Sequence, residues 1–497
     1  MQNGKHLELS IKTLAATILL GLLGNLLLRD VPWGIGFTGY IFAIVGVCAY
    51  LYRGGLAPVS RSVAMLLPPI LLFASTFAWR DSSSLKFLNA IALMLLIGLA
   101  VMRRHQDSLS VGTVVDYPFR LFGRWFQFVG DAVPLFNLEG RWPQLAKVGG
   151  MKQVAAVMRG LLIAIPLILL FGGLFISADA AFERLVTNSF QLDSEAIASN
   201  LVVTAACAWL VGGFLRRMFL VVSDEVLTIP PIQSKPQVQF AEKAEPTQIG
   251  LVEVGTVLGL LNLLFATFVG TQIPYFFGGS NLVQQTAGLG YADYARRGFF
   301  ELGAVAALAL PVLLGSHALL TKSGASGPKL FKVMAGVLVG LLFVVIASAG
   351  YRMQLYVEVY GISMLRIYVL AIIGWLSTVF GWFVLTVLRD RPQRFAFGGL
   401  VLFLAAVLTL NIINPEALTA RINTTRVAST TVDTSYLNSL SADATPELVK
   451  AVDRLKGEAR QHLLDGLDRK SKQLQHGNWR SWSLSLHEAA AALRQRH

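Results

Sequence analysis

The sequence predicts an all-α fold: a polytopic transmembrane bundle of about eleven helices with a small helical extracytoplasmic domain at its C-terminal end. Three observations carry this. Of 497 residues, 54% are hydrophobic and only 14% charged, whereas a soluble domain carries about 25% charged residues to cover its surface. Apolar runs of membrane-spanning length recur over the first four-fifths of the chain, and the remainder has an ordinary soluble composition. The runs are continuous rather than alternating, which excludes a transmembrane barrel.

A helix needs about 20 apolar residues to cross the hydrocarbon. The predicted spans are Thr13–Leu28, Trp33–Tyr52, Val63–Trp79, Leu85–Met102, Val154–Ile176 and Ile197–Leu215, then Leu251–Gln272, Phe299–Leu319, Leu330–Gly350, Leu365–Leu388 and Phe395–Ile412. The first is short, and Pro68-Pro69 interrupts the third. Lys5 and Lys12 before the first run imitate a signal peptide, but no small-residue cleavage site follows, so an uncleaved first helix is expected.

Charge orients the bundle. The net charge is +13, and its basic residues sit mostly in short loops. With the N-terminus inside, the inner segments hold Lys5, Lys12, Arg53, Arg61, a basic stretch from Arg103 to Arg159, Arg216, Arg217, Lys235, Lys243, Lys322, Lys329, Lys332, Arg389, Arg391 and Arg394. The outer ones before the tail hold fewer: Arg29, Arg80, Lys86, Arg184, Arg296, Arg297, Arg352 and Arg366. Miscounting one helix would invert every later label and erase this asymmetry. The positive charge therefore meets lipid, and nucleic acid is not an expected partner.

The expected organisation is helices one to four over 1–110, an interfacial amphipathic segment over 111–153, helices five and six over 154–228, and a Pro-bearing linker over 229–248. Helices seven to eleven follow over 249–412, and the tail occupies 413–497. In the amphipathic segment Arg120, Arg124, Gln127 and Asp131 share one helical face, with Phe119, Phe122 and Phe126 on another. In the tail, Thr445 and Pro446 read as a helix start, Gly457 to Gln473 as a second helix, Asn478 to Trp482 as a turn with two aromatics, and Ser485 as the cap of a last helix.

No P-loop, H-E-x-x-H, G-x-S-x-G or Cys/His ligand pair is present. No catalytic residue, cofactor or metal site is expected, and Cys48 and Cys207 have no ligand-spaced neighbours. Gly255/Gly259 and Gly336/Gly340 have the GxxxG spacing of close helix packing. Asn25, Asn89, Asn262, Gln272 and Asn411 are expected to bond between helices, with His317 structural. From Gly288 to Leu302 a helix would stack Asp293, Arg297 and Glu301 as an ion ladder entering from outside. From Tyr351 to Arg366 the residues alternate like a strand, yet a helical hairpin broken at Gly361 is favoured because an isolated strand is only marginally stable. Arg296, Arg297, Glu301, Arg352, Glu358 and Arg366 fall at one outer level and form the candidate binding cluster. The tail is expected to pack over Arg296, Arg352 and Arg366, anchored by Trp479 and Trp482 through cation–π contacts. The competing picture is a tail tethered loosely through the Thr-rich stretch from Ile422 to Ser435.

Several stretches together resemble an uncharacterised family of bacterial multi-pass membrane proteins. They are S-A-D-A-A-F from Ser177, L-N-L-L-F-A from Leu261, G-Y-A-D-Y-A-R-R-G-F-F-E-L from Gly290 and Y-R-M-Q-L-Y-V-E-V-Y-G from Tyr351, followed in the tail by N-P-E-A-L from Asn414, Y-L-N-S-L-S-A-D-A from Tyr436 and W-R-S-W-S-L-S from Trp479. The resemblance runs from about Val154 to the end. It implies placement in a bacterial inner membrane and no assigned reaction. Three functions stay open: a non-enzymatic envelope receptor or assembly protein meeting an external protein partner, a transporter of a small anionic or lipidic solute, and a membrane enzyme acting on a lipid phosphate.

Topology is directly testable. Reporters fused after Arg104, Gln248 and Arg394 should give cytoplasmic signals, and fusions after Gly279 and His497 external ones. A cytoplasmic signal from the last fusion would shift the helix count by one.

Overall fold

The structure, a computed structural model, describes residues 2–53, 61–104, 194–219, 251–277, 306, 308–317, 328–426, 432–475 and 477–496. Among them are helices, 3-10 turns and connections, and no strand. The amphipathic segment 111–153, the span 154–176, the linker 229–248 and the ion ladder at 288–302 lie outside the described residues. The chain forms two compact units, one of Met1–Ser108, Arg120–Pro230 and His476–Leu484, the other of Leu109–Phe119, Pro231–Gln475 and Ser485–His497.

The first unit contains α1 (Gln2–Leu28), α2 (Ile35–Arg53), α3 (Arg61–Ala64), α4 (Leu67–Trp79), α5 (Ser83–Arg104) and α6 (Ser194–Phe219). Consecutive long helices pack on one another where described, α1 on α2, α2 on α4 and α4 on α5, while α6 returns to lie along α1. Leu20 of α1 is buried while Leu19, Leu22 and Leu26 are exposed. A helix apolar on every side belongs in a core or in lipid. The apolar stretch of α1 runs Glu8–Leu28, and near its start Lys12 is paired with Glu8 one turn earlier at 2.6 Å. The third expected span is corrected. Pro68 and Pro69 sit in the first turn of α4, where a missing N–H costs nothing, and so start the helix instead of interrupting it. Its 13 residues rise about 20 Å, and α3 with the turn at Met65-Leu66 covers the start of the expected span.

The α1–α6 seam is tightly packed. A Cβ built on Gly21 would lie 2.6 Å from Ala208 Cβ, and one on Gly24 2.9 Å from Cys207 Cβ. At the end of the seam Asn25 Nδ2 donates to Asn200 Oδ1 at 2.8 Å, an interhelical amide pair of the kind expected.

In the second unit lie α7 (Leu251–Phe277), α8 (Leu308–His317), α9 (Pro328–Tyr360), α10 (Met364–Thr386) and α11 (Phe395–Ile413). Leu258, Leu313, Leu338, Leu342, Phe380 and Phe383 are completely buried at their centre. The glycine pairs behave differently from expectation. Among described atoms nothing lies within 4 Å of a Cβ on Gly255 or Gly340, and Gly259 and Gly336 meet only ordinary side-chain contacts at 3.4 and 3.9 Å. The α7–α9 contact is fixed instead by Asn262, whose Nδ2 donates to Met334 O at 3.0 Å and to Leu258 O at 2.8 Å. Hydroxyls in these helices, such as Ser377 on Ile373 O and Thr409 on Ala405 O, are satisfied by the preceding turn of their own helix.

Between 351 and 363 the helical reading holds. α9 continues to Tyr360, Gly361 takes a positive φ of 72°, and α10 starts at Met364. Only glycine enters that backbone region without strain, which places the break. Among the described residues six helices are long and apolar enough to cross a membrane, and Leu67–Trp79, Ala206–Arg216, Val257–Thr267 and Leu308–His317 are shorter apolar helices.

After Asn414 come α12 (Pro415–Arg426), α13 (Thr434–Ser439), α14 (Thr445–Ala451), α15 (Gly457–Gln475) and α16 (Leu484–Gln495). They share a core of Ala420, Leu437, Leu448, Leu463, Leu467 and Leu493. Two expected caps are corrected. Thr445 is the first helical residue of α14, led in by a 3-10 turn at Ala442–Ala444 that Ser441 caps. Ser485 lies inside α16 and donates its hydroxyl to Asp443 Oδ1 at 2.5 Å, because that buried carboxylate needs a donor more than the helix end does.

The seam yields a contrast. Gly21→Leu should lower stability by about 1–3 kcal/mol through overpacking against α6, whereas Gly340→Ala should be neutral or gain up to about 1 kcal/mol from helix propensity. Thermal unfolding of both variants in the same detergent measures the difference.

Candidate functional site

Helix ends leave backbone N–H and C=O groups without partners, and in apolar surroundings each such group costs several kcal/mol unless something else bonds it. In both units, residues from the C-terminal segment supply those partners.

In the second unit the exposed backbone is the α9–α10 break. Asn423, near the end of α12, faces Ile362 with its whole amide. Its Oδ1 accepts from Ile362 N at 2.9 Å, and its Nδ2 donates to Ile362 O at 2.8 Å. One residue further, Met364 N donates to the phenol oxygen of Tyr436 in α13 at 2.8 Å. Burial pushes the Tyr436 phenol above its ordinary pKa, and the Met364 amide offsets part of that rise. Arg366 closes the turn from the α10 side by donating from Nη1 to Gly361 O. Thr419 of α12 donates to its own helix at Pro415 O and approaches the Met364 sulfur at 3.7 Å.

Local sequence explains why α12 presents Asn423 there. Asn414 takes a left-handed backbone (φ 52°) at the end of α11, and its Oδ1 accepts from Ala417 N at 3.2 Å. Pro415 then occupies the first helical position with Glu416 in the first turn, so one asparagine ends α11 and caps α12. Glu416, buried to 7% exposure, accepts from Ser441 N. Asp443, buried to 4%, gathers Ser485 and Ser441. These two carboxylates fix α12 and α16 to the 3-10 turn between them.

In the first unit the exposed backbone belongs to α1 and α2. Arg480 Nη1 donates to Leu26 O at 2.6 Å, filling a carbonyl in the last turn of α1 with a cation, the charge that a helix C-terminus favours. Ile35 N, the first N–H of α2, donates to Trp482 O at 2.8 Å. Gly34 and Gly36 make room for this. A side chain at Gly34 would collide with the backbone of Ser481 and Trp482, and one at Gly36 would approach Arg480 O.

Of the residues singled out in the sequence, Arg296, Arg297 and Glu301 lie outside the described residues, and for Arg352 and Glu358 only their place in α9 is described. Arg366 sits at the gripped turn. Trp479 and Trp482 belong to the first unit, against the α1–α2 turn, and Arg366 to the second. The stretch read as the start of a loose tether is helical through Arg426. Asn423, Tyr436 and Arg480 were not singled out. The Asn-Pro-Glu helix start from Asn414 did carry the signal that α12 continues as a helix, with Ala420 and Thr424 buried one turn apart.

A family model described as Domain of unknown function (DUF4153) matches residues 67–451. The chain belongs to this family. The DUF4153 region begins at α4, earlier than the stretch where the sequence motifs cluster, and it takes in the α9–α10 break together with Asn423 and Tyr436. Arg480 and Trp482 lie beyond it. No curated protein and no solved structure matches the chain.

Asn423→Ala should leave both Ile362 backbone groups unpaired and cost about 1–3 kcal/mol. Asn423→Asp keeps the acceptor for Ile362 N but loses the donor to Ile362 O. Hydrogen exchange of the peptide carrying residues 361–364 should therefore speed up strongly in the alanine variant and less in the aspartate one.

Proposed function

We propose that this membrane protein of the DUF4153 family resides in a bacterial cytoplasmic membrane with its N-terminus inside and its tail outside, and that the tail is a non-enzymatic assembly or receptor surface. The observation that carries this is the way the tail is built. In the second unit Asn423 and Tyr436 bond the α9–α10 break, and in the first unit Arg480 bonds the end of α1. α15 carries exposed Glu458, Arg460, Gln461, Asp465, Asp468 and Arg469 beside the apolar core that Leu463 and Leu467 help to form.

Two contacts support the orientation. The α1–α2 turn and the α9–α10 turn are both outer loops by the charge distribution, and each bonds a residue of the tail. Groups within 3 Å of each other share a side of the membrane, so in each unit taken by itself the turn and the tail residues bonded to it lie on one side. A rigid, charged, well-supported face held at the membrane surface suits recognition of another envelope protein better than passage of a solute.

A benzophenone amino acid placed at Gln461 or Arg469, illuminated in intact cells, should give a defined adduct with an envelope protein. Adducts with solute or lipid alone at both positions would sink the reading and favour the transport or lipid-enzyme alternatives.

A further inference from the structure

Within the first unit, the α1–α2 turn and the segment at residues 479–484 bonded to it both expose large apolar side chains. Trp33 is 45% exposed, Trp479 66%, Trp482 40% and Ile35 39%. The tail brings its two tryptophans to this place by backbone bonding, Trp482 O to Ile35 N and Arg480 to Leu26 O. In a 3-10 turn, residues three apart lie over one another, so Trp479 and Trp482 fall on the same side of Trp479–Ser481. Trp33 is held in place by stacking on Phe37 at 4.9 Å.

We propose that this surface is seated in the headgroup layer of the membrane, so that the tail turn Trp479–Trp482 is a membrane-interface anchor as well as a cap for α1. The argument is continuity with a lipid-facing surface. Leu26 and Ile35 lie at the ends of the spans Glu8–Leu28 and Ile35–Tyr52, and Leu19, Leu22 and Leu26 present the same apolar exterior along α1. A surface in contact with both span ends lies where hydrocarbon gives way to water, the layer in which indole rings are enriched. Charge fits the same occupant: Arg29 and Arg480 flank the tryptophans and no acid but Asp30, paired with Arg29 at 2.9 Å, lies in residues 26–36 or 477–484. Arginine beside interfacial tryptophan matches phospholipid phosphate. The proposal rests on the membrane placement of α1 and α2 and is independent of whether α15 has a protein partner.

The test uses the full chain in vesicles of phosphatidylethanolamine and phosphatidylglycerol, with Cys48 and Cys207 replaced by alanine and a nitroxide on Trp479→Cys. The control label is Gln461→Cys, on the exposed face of α15. At 479 the ratio of collision with oxygen to collision with a water-soluble nickel complex should exceed the control several-fold, and adding Gly34→Leu, which blocks the seat, should return it toward the control. An equal ratio at 479 and 461 would place the turn in water and overturn the proposal. So would exclusion of both reagents from 479, which would mean that protein covers the surface. Failure here leaves the cross-linking result at α15 untouched, so the two readings fall separately.

Discussion

Every helix that ends near hydrocarbon leaves polar backbone groups to be satisfied, and this demand organises the parts of the protein where its C-terminal segment is described. Asn423 answers for Ile362, Tyr436 for Met364, and Arg480 and Trp482 for Leu26 and Ile35. None of these bonds is strong alone, since a net contribution of about 1 kcal/mol is usual for a hydrogen bond in a folded protein. Leaving the group unpaired is what costs more, so the tail helices have a thermodynamic reason to stay on the membrane part that does not depend on burying a large apolar area.

That reason shapes the polar content of the tail. The buried carboxylates Glu416 and Asp443 do no visible chemistry; they hold α12 and α16 on the 3-10 turn at Ala442–Ala444 and thereby aim Asn423 and Tyr436. The division of labour is clear along α15 as well. Leu463 and Leu467 face inward at 0% exposure, and Gly466 lets Asn438 approach so closely that any side chain there would collide with its amide. Most of the charged residues of α15 are exposed, while Lys470 turns back to donate to Leu440 O at 2.6 Å.

The fold class was legible because it depends on composition and run length, which survive any error in helix boundaries. Single boundaries failed where one residue changes meaning with context. Pro68-Pro69 reads as an interruption inside a long apolar run and as a start signal once α3 precedes it. Gly255/Gly259 and Gly336/Gly340 carry a packing motif, but a motif cannot say which helix comes opposite, and close helix contacts fall at Gly21, Gly24 and Gly398 instead. The break at Gly361 was readable because glycine enters a left-handed backbone with the least strain. Its partner Asn423 was not, because a polar residue among threonines has the same local pattern whether it faces water or a backbone sixty residues away. Trp479 and Trp482 were read as anchors of the tail, while the Ile35 N–H that Trp482 O accepts from, more than four hundred residues earlier, was beyond any local pattern.

The Arg480–Leu26 and Trp482–Ile35 bonds also impose an order in time. At synthesis rates of 5–20 residues per second, roughly 20–90 s separate the emergence of Ile35 from that of Trp482. During that interval the ends of α1 and α2 have been made while the residues that cap them have not. The first helices must therefore wait, with these terminal groups bonded to water or other partners, until residues 480–482 have been made. A chain that stalls before residue 480 keeps that unfinished edge, which distinguishes it physically from the completed molecule and offers quality-control proteases a feature to recognise.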